Sequence, residues 1–422
     1  MQEVKVWPGG FAMKAALIVG YLIFLSALLE GAARFTVPLI ANIYTKEITL
    51  TEQDREAIKS IIKGGKRYIT YDRDLGWVPG KNVKADLYES NGSGIRSSRE
   101  YTPKPIRSEV TRILAFGDSF THSDDVSNKD SWTAILEADN NNLEVLNYGV
   151  PAYGIDQAYL RFQKESKKFD ANIVLMGMMS ENVYRHINTF RKFYQQAGGF
   201  PLGKPRFLED DTSSIKLLPN WFNSEEKYSD LLTNPSATMR EAGVHDYYFN
   251  NKPPAAGCEL IVLPCAFKVA GWVIREKIDR GQKDPWSGFL HYDMASEGPR
   301  LTIKIIRSFA NSITENGMRP ILVIFPNKTD YTQYKITRSR SYDPLIKASA
   351  EAGIETIDAM EAFLEHGRLI AYEDIFTQSS GHYSAAGNRR VAKWISEKLI
   401  TKEKLPEAAP TSAMNNYRSI SR

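Results

Sequence analysis

The stretch Ile113–Ser123 reads ILAFGDSFTHS and joins a short apolar run to a sharp break. The apolar run predicts a buried strand, which Gly117 ends. Asp118 and Ser119 follow directly, and we expect Asp118 to cap the turn rather than to act as a catalytic acid. A serine at the carboxyl end of a strand exposes its hydroxyl beside outward-pointing backbone N–H groups, which suits nucleophilic catalysis. An ordinary turn is the alternative, because Gly, Asp and Ser are common turn residues.

Further apolar runs of strand character follow this stretch, and helix-like patterns separate them. Strands are predicted at Leu143–Asn147, Ile173–Met179, Pro320–Phe325 and Ile354–Ile357. Helices are predicted near Trp132–Glu137, Gln157–Lys168, Leu301–Asn316, Asp343 and Ala385–Ile400. Strands that alternate with helices of this size form parallel βαβ units. We therefore expect an α/β three-layer sandwich with a mostly parallel, flavodoxin-like sheet and a site at the carboxyl ends of its strands.

The composition is that of a globular protein, and its charge excludes some partners. The chain has 422 residues, of which 42% are apolar and 25% charged, with a net charge of +4. This small, dispersed charge does not indicate a nucleic-acid partner. The two cysteines, Cys258 and Cys265, are too few for a thiolate zinc site or a disulfide-dense scaffold. They form either one local disulfide or two free buried thiols.

The N-terminus carries the main localisation signal. Ala15–Leu29 has no charged residue, and Lys5 and Lys14 precede it. Flanking apolar residues bring this run close to the length of about 20 residues that a membrane span needs. We expect an uncleaved single-pass anchor in the cell membrane, with the catalytic domain outside the cytoplasm. A cleaved signal peptide, with Gly31–Ala33 as small residues for the cleavage site, and a buried core helix are the alternatives.

Changes in composition divide the chain into regions. Residues 1–35 form the N-terminal anchor or signal segment, and residues 36–107 form a polar lead-in region of short elements. The main α/β domain covers residues 108–400. Residues 190–299, rich in Pro, Gly, Asn and aromatic side chains, interrupt it as a long insertion or lid. Residues 401–422 form a polar tail.

Four segments resemble, in chain order, the sequence blocks of the SGNH/GDSL hydrolase family, especially its bacterial members with a membrane anchor. These segments are GDSF at Gly117–Phe120, NYGVPAYGIDQ at Asn147–Gln157, SENVYRH at Ser180–His186 and GHYSAAGN at Gly381–Asn388. The likeness covers about residues 71–179 and 301–400, and it leaves the insertion unaccounted for. A GDS tripeptide alone is weak evidence, whereas four blocks in order at predicted strand ends are a specific pattern.

The resemblance implies a set of site residues. Ser119 falls on the family's nucleophile and His382 on its general base. The N–H groups of Ser119 and Ala152, with the side-chain amide of Asn182, would form the oxyanion hole. We expect no cofactor and no metal. The family usually has Gly where this chain has Ala152, and an Ala N–H can serve there if φ stays negative.

The third block departs from the family pattern. Aligned without gaps, Glu181 occupies the position of the family's oxyanion-hole Asn, and Asn182 comes one residue later. An ionised carboxylate cannot donate a hydrogen bond and would repel the developing negative charge. We therefore expect Asn182, in a loop one residue longer, to take this role.

The fourth block lacks the acid that usually orients the histidine. Ser379 stands where the family has Asp, three residues before His382. A serine cannot supply the negative charge that stabilises an imidazolium. The His382 ring therefore bonds to a backbone carbonyl near Ser379, or Asp374 or Glu373 folds back onto it.

Other polar residues near the blocks have two interpretations each. His122, Asp124 and Asp125 contain metal-ligand types, but their crowding in one loop favours a solvated turn, with His122 on the surface. Arg96 and Arg185 can contact an anionic substrate, although ion pairs within the fold are the more ordinary role.

These observations predict a serine esterase or acylhydrolase that acts on acyl esters, including acetyl esters. The expected substrate is an acylated small molecule or a cell-envelope or extracellular polysaccharide. A polysaccharide O-acetyltransferase would use the same Ser119 and His382 and is one alternative. A catalytically inactive glycan-binding or scaffold protein is another, which the missing acid and Glu181 favour.

Overall fold

The computed structural model describes residues 9–44, 48–65, 67–195, 201–210, 214–250, 267, 271, 292–378 and 381–402. Several expectations fall on positions outside the described residues, namely Cys258 and Cys265, Ser379 and residues 403–422 of the polar tail. They stay predictions.

Short elements form the first part of the chain: α1 (Gly9–Tyr44), α2 (Glu52–Ile62), β1 (Ile69–Asp72), β2 (Gly76–Pro79), β3 (Val83–Lys84) and β4 (Glu89–Ser90). Within α1, Leu17–Arg34 is long and apolar enough to cross a membrane, and its side chains are almost all exposed. A signal sequence near the N-terminus has the same properties. The α2 helix begins where Thr51 and Asp54 cap one another, each accepting the other's backbone N–H.

The remaining elements follow in three groups. The first is β5 (Thr111–Gly117), α3 (Ser119–His122), α4 (Trp132–Ala138), β6 (Leu143–Gly149), α5 (Ile155–Glu165), β7 (Ile173–Met179), α6 (Asn182–Arg185) and α7 (Arg191–Tyr194). The second is β8 (Arg206–Glu209), β9 (Ile215–Leu218), α8 (Glu225–Thr233), α9 (Pro235–Ala242) and α10 (Tyr247–Asn250). The third is α11 (Glu297–Glu315), β10 (Arg319–Phe325), α12 (Lys328–Thr337), α13 (Asp343–Glu351), β11 (Glu355–Asp358), β12 (Leu364–Glu365), β13 (Arg368–Leu369), α14 (Tyr372–Ile375) and α15 (Ala385–Lys402).

The central sheet is parallel throughout, with the strand order β11-β10-β7-β5-β6 in the described part of the chain. Each of these strands is one that the sequence predicted, so the predicted parallel sheet is confirmed. The chain starts at β5, moves outward to β6, and then crosses back to β7. The reversal of direction lies between β5 and β7, and ligands of open α/β sheets bind at such a point.

Helices cover both faces of the sheet and complete the predicted three layers. Along β5, Leu114 and Phe116 face one hydrophobic core, and Ile113 and Ala115 face the other. This alternation follows from the two-residue period of a strand. Helices α5 and α11 pack together on the first face, and α4 and α15 pack together on the second. Burial on both faces explains why the three central strands, β5, β7 and β10, contain continuous apolar runs.

The lead-in region and the described part of the insertion pack against one another and against the first core. Arg55 donates to the carbonyl of Leu232 at 2.9 Å, and the Tyr71 hydroxyl donates to the carbonyl of Phe222 at 3.1 Å. The side chain of Phe222 is itself fully buried in that core. Both regions are therefore integral to the folded domain where they are described.

A buried ion pair fixes the insertion to the sheet domain. The Lys204 ammonium lies 2.5 Å from the carboxylate of Asp156 on α5, and both side chains are fully buried. Lys204 also donates to the carbonyls of Asn188 and Pro205. Burial lowers the pKa of Lys204 despite the attraction of Asp156. Removal of either charge would leave the other unpaired in the core.

We expect Lys204→Met to lower the free energy of unfolding by about 3–5 kcal/mol, because it leaves the buried Asp156 carboxylate unpaired. The double variant Lys204→Met/Asp156→Leu should regain most of that loss. Urea unfolding followed by circular dichroism measures both. As a matched control, Lys59→Met breaks the exposed pair with Glu56 and should stay near the parent value. Equal losses in Lys204→Met and Lys59→Met would contradict the anchoring role.

Candidate active site

Asp118 builds the turn that carries Ser119. After β5 ends at Gly117, the Asp118 carboxylate accepts hydrogen bonds from the N–H groups of Phe120 at 2.9 Å and Thr121 at 3.4 Å. It therefore caps α3, as the sequence predicted. Ser119 is the first residue of this short helix and lies at the carboxyl edge of the sheet.

Glycines at two strand ends let α3 lie directly on the sheet. A Cβ on Gly117 would lie 2.0 Å from Oγ1 of Thr121, and one on Gly149 would lie 2.2 Å from the backbone N of His122. Both distances are far below van der Waals contact, so larger residues would push α3 away. The close packing of the Ser119 turn against the sheet thus depends on these two glycines.

The structure brings Ser119 and His382 together. His382 lies in the loop before α15, and its Nε2 is 2.9 Å from Oγ of Ser119. The N–H of Thr377 donates to the backbone carbonyl of His382 at 2.8 Å and supports this loop. The separation is within the reach that a general base needs. The two residues' catalytic roles stay predictions that this geometry allows.

Asp125 contacts the other nitrogen of the His382 ring. Its Oδ2 lies 3.3 Å from Nδ1 of His382 and also accepts a hydrogen bond from the Thr377 hydroxyl at 3.1 Å. Asp374 and Glu373, the carboxylates considered from the sequence, are exposed on α14 and form no hydrogen bond with His382 within the described residues. The expectation of a solvated turn at Asp125 is wrong, because this carboxylate bonds to a ring that is itself largely buried.

The surroundings of His382 favour its protonated form. Burial opposes the charge, but the hydrogen bond to Asp125 and the negative charges of Asp124, Asp125 and Asp118 outweigh it and raise the pKa of His382. A general base must be neutral before it accepts a proton. Proton abstraction by His382 therefore increases as the pH rises through this raised pKa.

The backbone of Asp125 is strained, and its neighbours hold it in this conformation. Its φ is +70°, in the left-handed region that non-glycine residues rarely adopt. The backbone N–H of Asp125 donates to the hydroxyl of Tyr88 at 2.9 Å. Such strain persists only where neighbours determine the conformation, and it is common at functional sites.

Arg96, from the lead-in region, organises the loop that carries Asp125. Its guanidinium donates to the carbonyls of His122, of Ser123 at 2.6 Å and of Val126 at 2.5 Å, and to the side chain of Asn128 at 3.0 Å. These contacts bury the cation almost completely. Of the two interpretations of Arg96, an internal role is the one that the structure shows.

His122 is fully buried, so the expectation of a surface histidine is wrong. Its Nε2 lies 2.6 Å from the hydroxyl of Tyr68, and its Nδ1 lies 2.5 Å from Oδ1 of Asp124. Burial and the neighbouring charge of Arg96 lower its pKa to about 4 despite Asp124. A neutral ring accepts from Tyr68 and donates to Asp124, so it links the lead-in region to the turn that carries Ser119.

Asn182 lies beside the nucleophile turn, and Glu181 faces another group. The Nδ2 of Asn182 donates to Oδ2 of Asp118 at 2.6 Å, and its side chain is fully buried. A primary amide has a second N–H, which this bond leaves free for another acceptor. The Glu181 carboxylate instead accepts from the hydroxyl of Tyr194. This arrangement favours Asn182 as the oxyanion donor, which stays a prediction.

Ala152 has a φ of +66°, so the condition set for its role in the oxyanion hole, a negative φ, is not met. The left-handed conformation costs an alanine about 1–2 kcal/mol. The N–H groups of Ala152 and Ser119 have no acceptor among the described residues. Next to Ala152, the carbonyl of Tyr153 accepts from Arg185 at 2.9 Å, which gives that arginine an internal role as well.

We expect Asp125→Asn to lower the pKa of His382, because the imidazolium loses a charged hydrogen-bond partner. NMR titration of the His382 ring should then show a midpoint at lower pH than in the parent. The signal is identified among six histidines by its loss in His382→Gln. Asp374→Asn is the matched control and should leave the midpoint unchanged. A midpoint that moves in Asp374→Asn and not in Asp125→Asn would contradict this assignment.

Comparisons with known proteins give structural matches only. No family model matches the chain, and no curated protein matches it. A member of the lipolytic protein G-D-S-L family from Veillonella parvula is 12% identical, with a TM-score of 0.31 over 70% of this chain and 100% of its own. The lipase/acylhydrolase from Enterococcus faecalis is 13% identical, with a TM-score of 0.32 over 71% of this chain and 100% of its own. The acetyl xylan esterase AlAXEase is 12% identical, with a TM-score of 0.34 over 68% of this chain and 100% of its own. Lipolytic proteins of the G-D-S-L family and esterases are thus among the solved structures to which this chain is similar.

Proposed function

We propose that this chain is a serine esterase or acylhydrolase of the SGNH/GDSL type. The observation that carries the proposal is the distance of 2.9 Å between Oγ of Ser119 and Nε2 of His382, with Asp125 at the other ring nitrogen. A nucleophile, a base and a group that orients the base are the parts that acyl transfer needs.

Acylation begins with His382 in its neutral form. Nδ1–H donates to Asp125, so the lone pair on Nε2 accepts the proton of Ser119 as Oγ attacks the ester carbonyl carbon. The carbonyl oxygen becomes an oxyanion, which the N–H of Ser119 and the amide of Asn182 stabilise. The N–H of Ala152, which has no acceptor among the described residues, is a further donor despite its positive φ. The tetrahedral intermediate collapses, the C–O bond to the alcohol breaks, and His382 returns its proton to the leaving oxygen.

Deacylation repeats these steps with water. His382 takes a proton from water as the water oxygen attacks the acyl carbon bound to Ser119. The bond to Oγ then breaks, and His382 protonates Oγ. The products are a free carboxylic acid and the original serine. In a transferase, a sugar hydroxyl would take the place of water at this step.

The proposed substrate is an acyl ester, including an acetyl ester, on a polysaccharide of the cell envelope. The span Leu17–Arg34 supports a membrane anchor with the catalytic domain outside the cytoplasm, where such polymers occur. In the sequence, the lack of an acid three residues before His382 favoured the alternative of an inactive scaffold protein. Asp125 removes that argument and supports an enzyme.

We expect Ser119→Ala to reduce hydrolysis of p-nitrophenyl acetate about 10³-fold or more, because the nucleophile is lost. Mass spectrometry of the parent should detect an acetyl group on Ser119 under rapid quench. Ser123→Ala is a matched control from the same loop, since its hydroxyl has no partner in the described residues. The control should keep parent turnover. Parent activity that survives in Ser119→Ala would overturn the proposed function.

We expect Asn182→Ala to reduce kcat about 10²–10³-fold with little change in KM, because the amide would stabilise the oxyanion and not the bound substrate. Glu181→Gln should keep kcat within a few-fold of the parent. Thermal unfolding of both variants separates this effect from loss of the bond to Asp118. A larger kcat loss in Glu181→Gln would reverse the assignment of the third block.

A further inference from the structure

A cleft of about 400 Å³ lies between α12 and the segment of residues 368–373. Its lining carries the cationic side chains of Lys335, Arg338 and Arg368, and Glu373 is the carboxylate in that lining. All four residues are exposed. The rings of Tyr331 and Tyr372 add an aromatic wall, with their centroids 5.7 Å apart.

The cations of α12 extend this cleft along one face of the helix. Lys328, Tyr331 and Lys335 are spaced by three and four residues, which places them in one stripe of α12. At a rise of about 1.5 Å per residue, this stripe extends about 10 Å. Arg338 follows the end of the helix, where it has a φ of +59°, and lines the same cleft. Arg368 stands across the cleft from the stripe. An extended ligand can therefore contact several cations at once.

Neighbouring carboxylates do not neutralise these cations. Asp358 and Glu361 pair with Arg340, and Glu365, which opposes Arg368 in the β12–β13 hairpin, pairs with Arg390 at 2.7 Å. Within the described residues, Lys328, Lys335, Arg338 and Arg368 have no carboxylate within 4.0 Å. The cleft thus keeps an excess of positive charge that a ligand can meet.

The stripe starts beside the loop of the proposed catalytic histidine. A Cβ on Gly381 would lie 3.0 Å from Cδ of Lys328, so the lysine stem packs over the residue that precedes His382. The positive φ of Gly381, +82°, keeps the chain close to that stem. A polymer held along α12 would therefore pass next to the Ser119–His382 pair.

We propose that this cleft binds an acidic polysaccharide and presents the acyl groups of its sugars to Ser119. The inference rests on the proposed esterase function and specifies its substrate class. Repeated carboxylates match the several cations that line this cleft, and the half-buried ring of Tyr372 offers an apolar face to a sugar. The modest net charge of +4 disfavours nucleic acid as the occupant.

Binding is tested on the full chain in detergent, with Ser119→Ala so that no ligand is consumed. Polygalacturonate is the acidic probe, and dextran is the neutral one. We expect binding of polygalacturonate alone, weakened by added salt. The triple variant Lys335→Gln/Arg338→Gln/Arg368→Gln should bind about tenfold more weakly. The matched triple Lys216→Gln/Arg240→Gln/Arg307→Gln removes equal charge outside the cleft and should bind like Ser119→Ala alone.

Turnover separates this inference from the proposed function. With Ser119 restored, the cleft variant should lose kcat/KM on acetylated polygalacturonate about tenfold and keep parent turnover of p-nitrophenyl acetate. Equal binding of dextran, equal losses in the matched triple, or stronger cleft-dependent binding of anionic lipid vesicles or DNA would overturn the inference. Absence of Ser119-dependent turnover of p-nitrophenyl acetate would instead overturn the proposed function, whatever the cleft binds.

Discussion

The buried carboxylate of Asp118 is the group on which the rest of the site depends. One oxygen accepts from the first N–H groups of α3, and the other accepts from the N–H of Met179 at 2.8 Å and from Asn182. A single side chain therefore links the end of β5, the turn that carries Ser119 and the end of β7. A buried charge is stable only where such donors surround it, so this geometry leaves little freedom. The turn of Ser119, the proposed nucleophile, and the proposed oxyanion amide of Asn182 are consequently held by the same carboxylate.

A second network, centred on the Arg96 cation, extends this constraint to Asp125. Arg96 gathers the carbonyls at the end of α3, where the helix dipole is negative, and fixes the strained loop that ends in Asp125. The lead-in region is thus part of the site, because it supplies Arg96, Tyr68 and Tyr88. Asp125 lies six residues after Ser119, so both belong to one short segment, whereas His382 comes from a distant part of the chain.

Much of the fold could be predicted from the sequence because its three central strands, β5, β7 and β10, are buried on both faces and contain continuous apolar runs. Ser119 and His382 could be found because short local blocks carry them. Asp125 could not, because its contact with His382 joins residues 257 apart and requires a left-handed backbone that distant side chains impose. For the same reason the positive φ of Ala152 and the burial of His122 escaped prediction, since neither leaves a local pattern.

The position of Asp125 also affects which residues can line the basic cleft beside α12. The Asp125 carboxylate bonds to both the His382 ring and the Thr377 hydroxyl. A residue of the Ser119 loop therefore holds the loop that carries His382. Helix α14, which precedes the loop of His382, is then not required to carry the acid itself. Tyr372 and Glu373 on this helix line the basic cleft. The carboxylates that raise the pKa of His382 thus lie apart from the side chains that line the basic cleft. We infer that substrate preference can change along α12 and α14 without disturbing proton transfer.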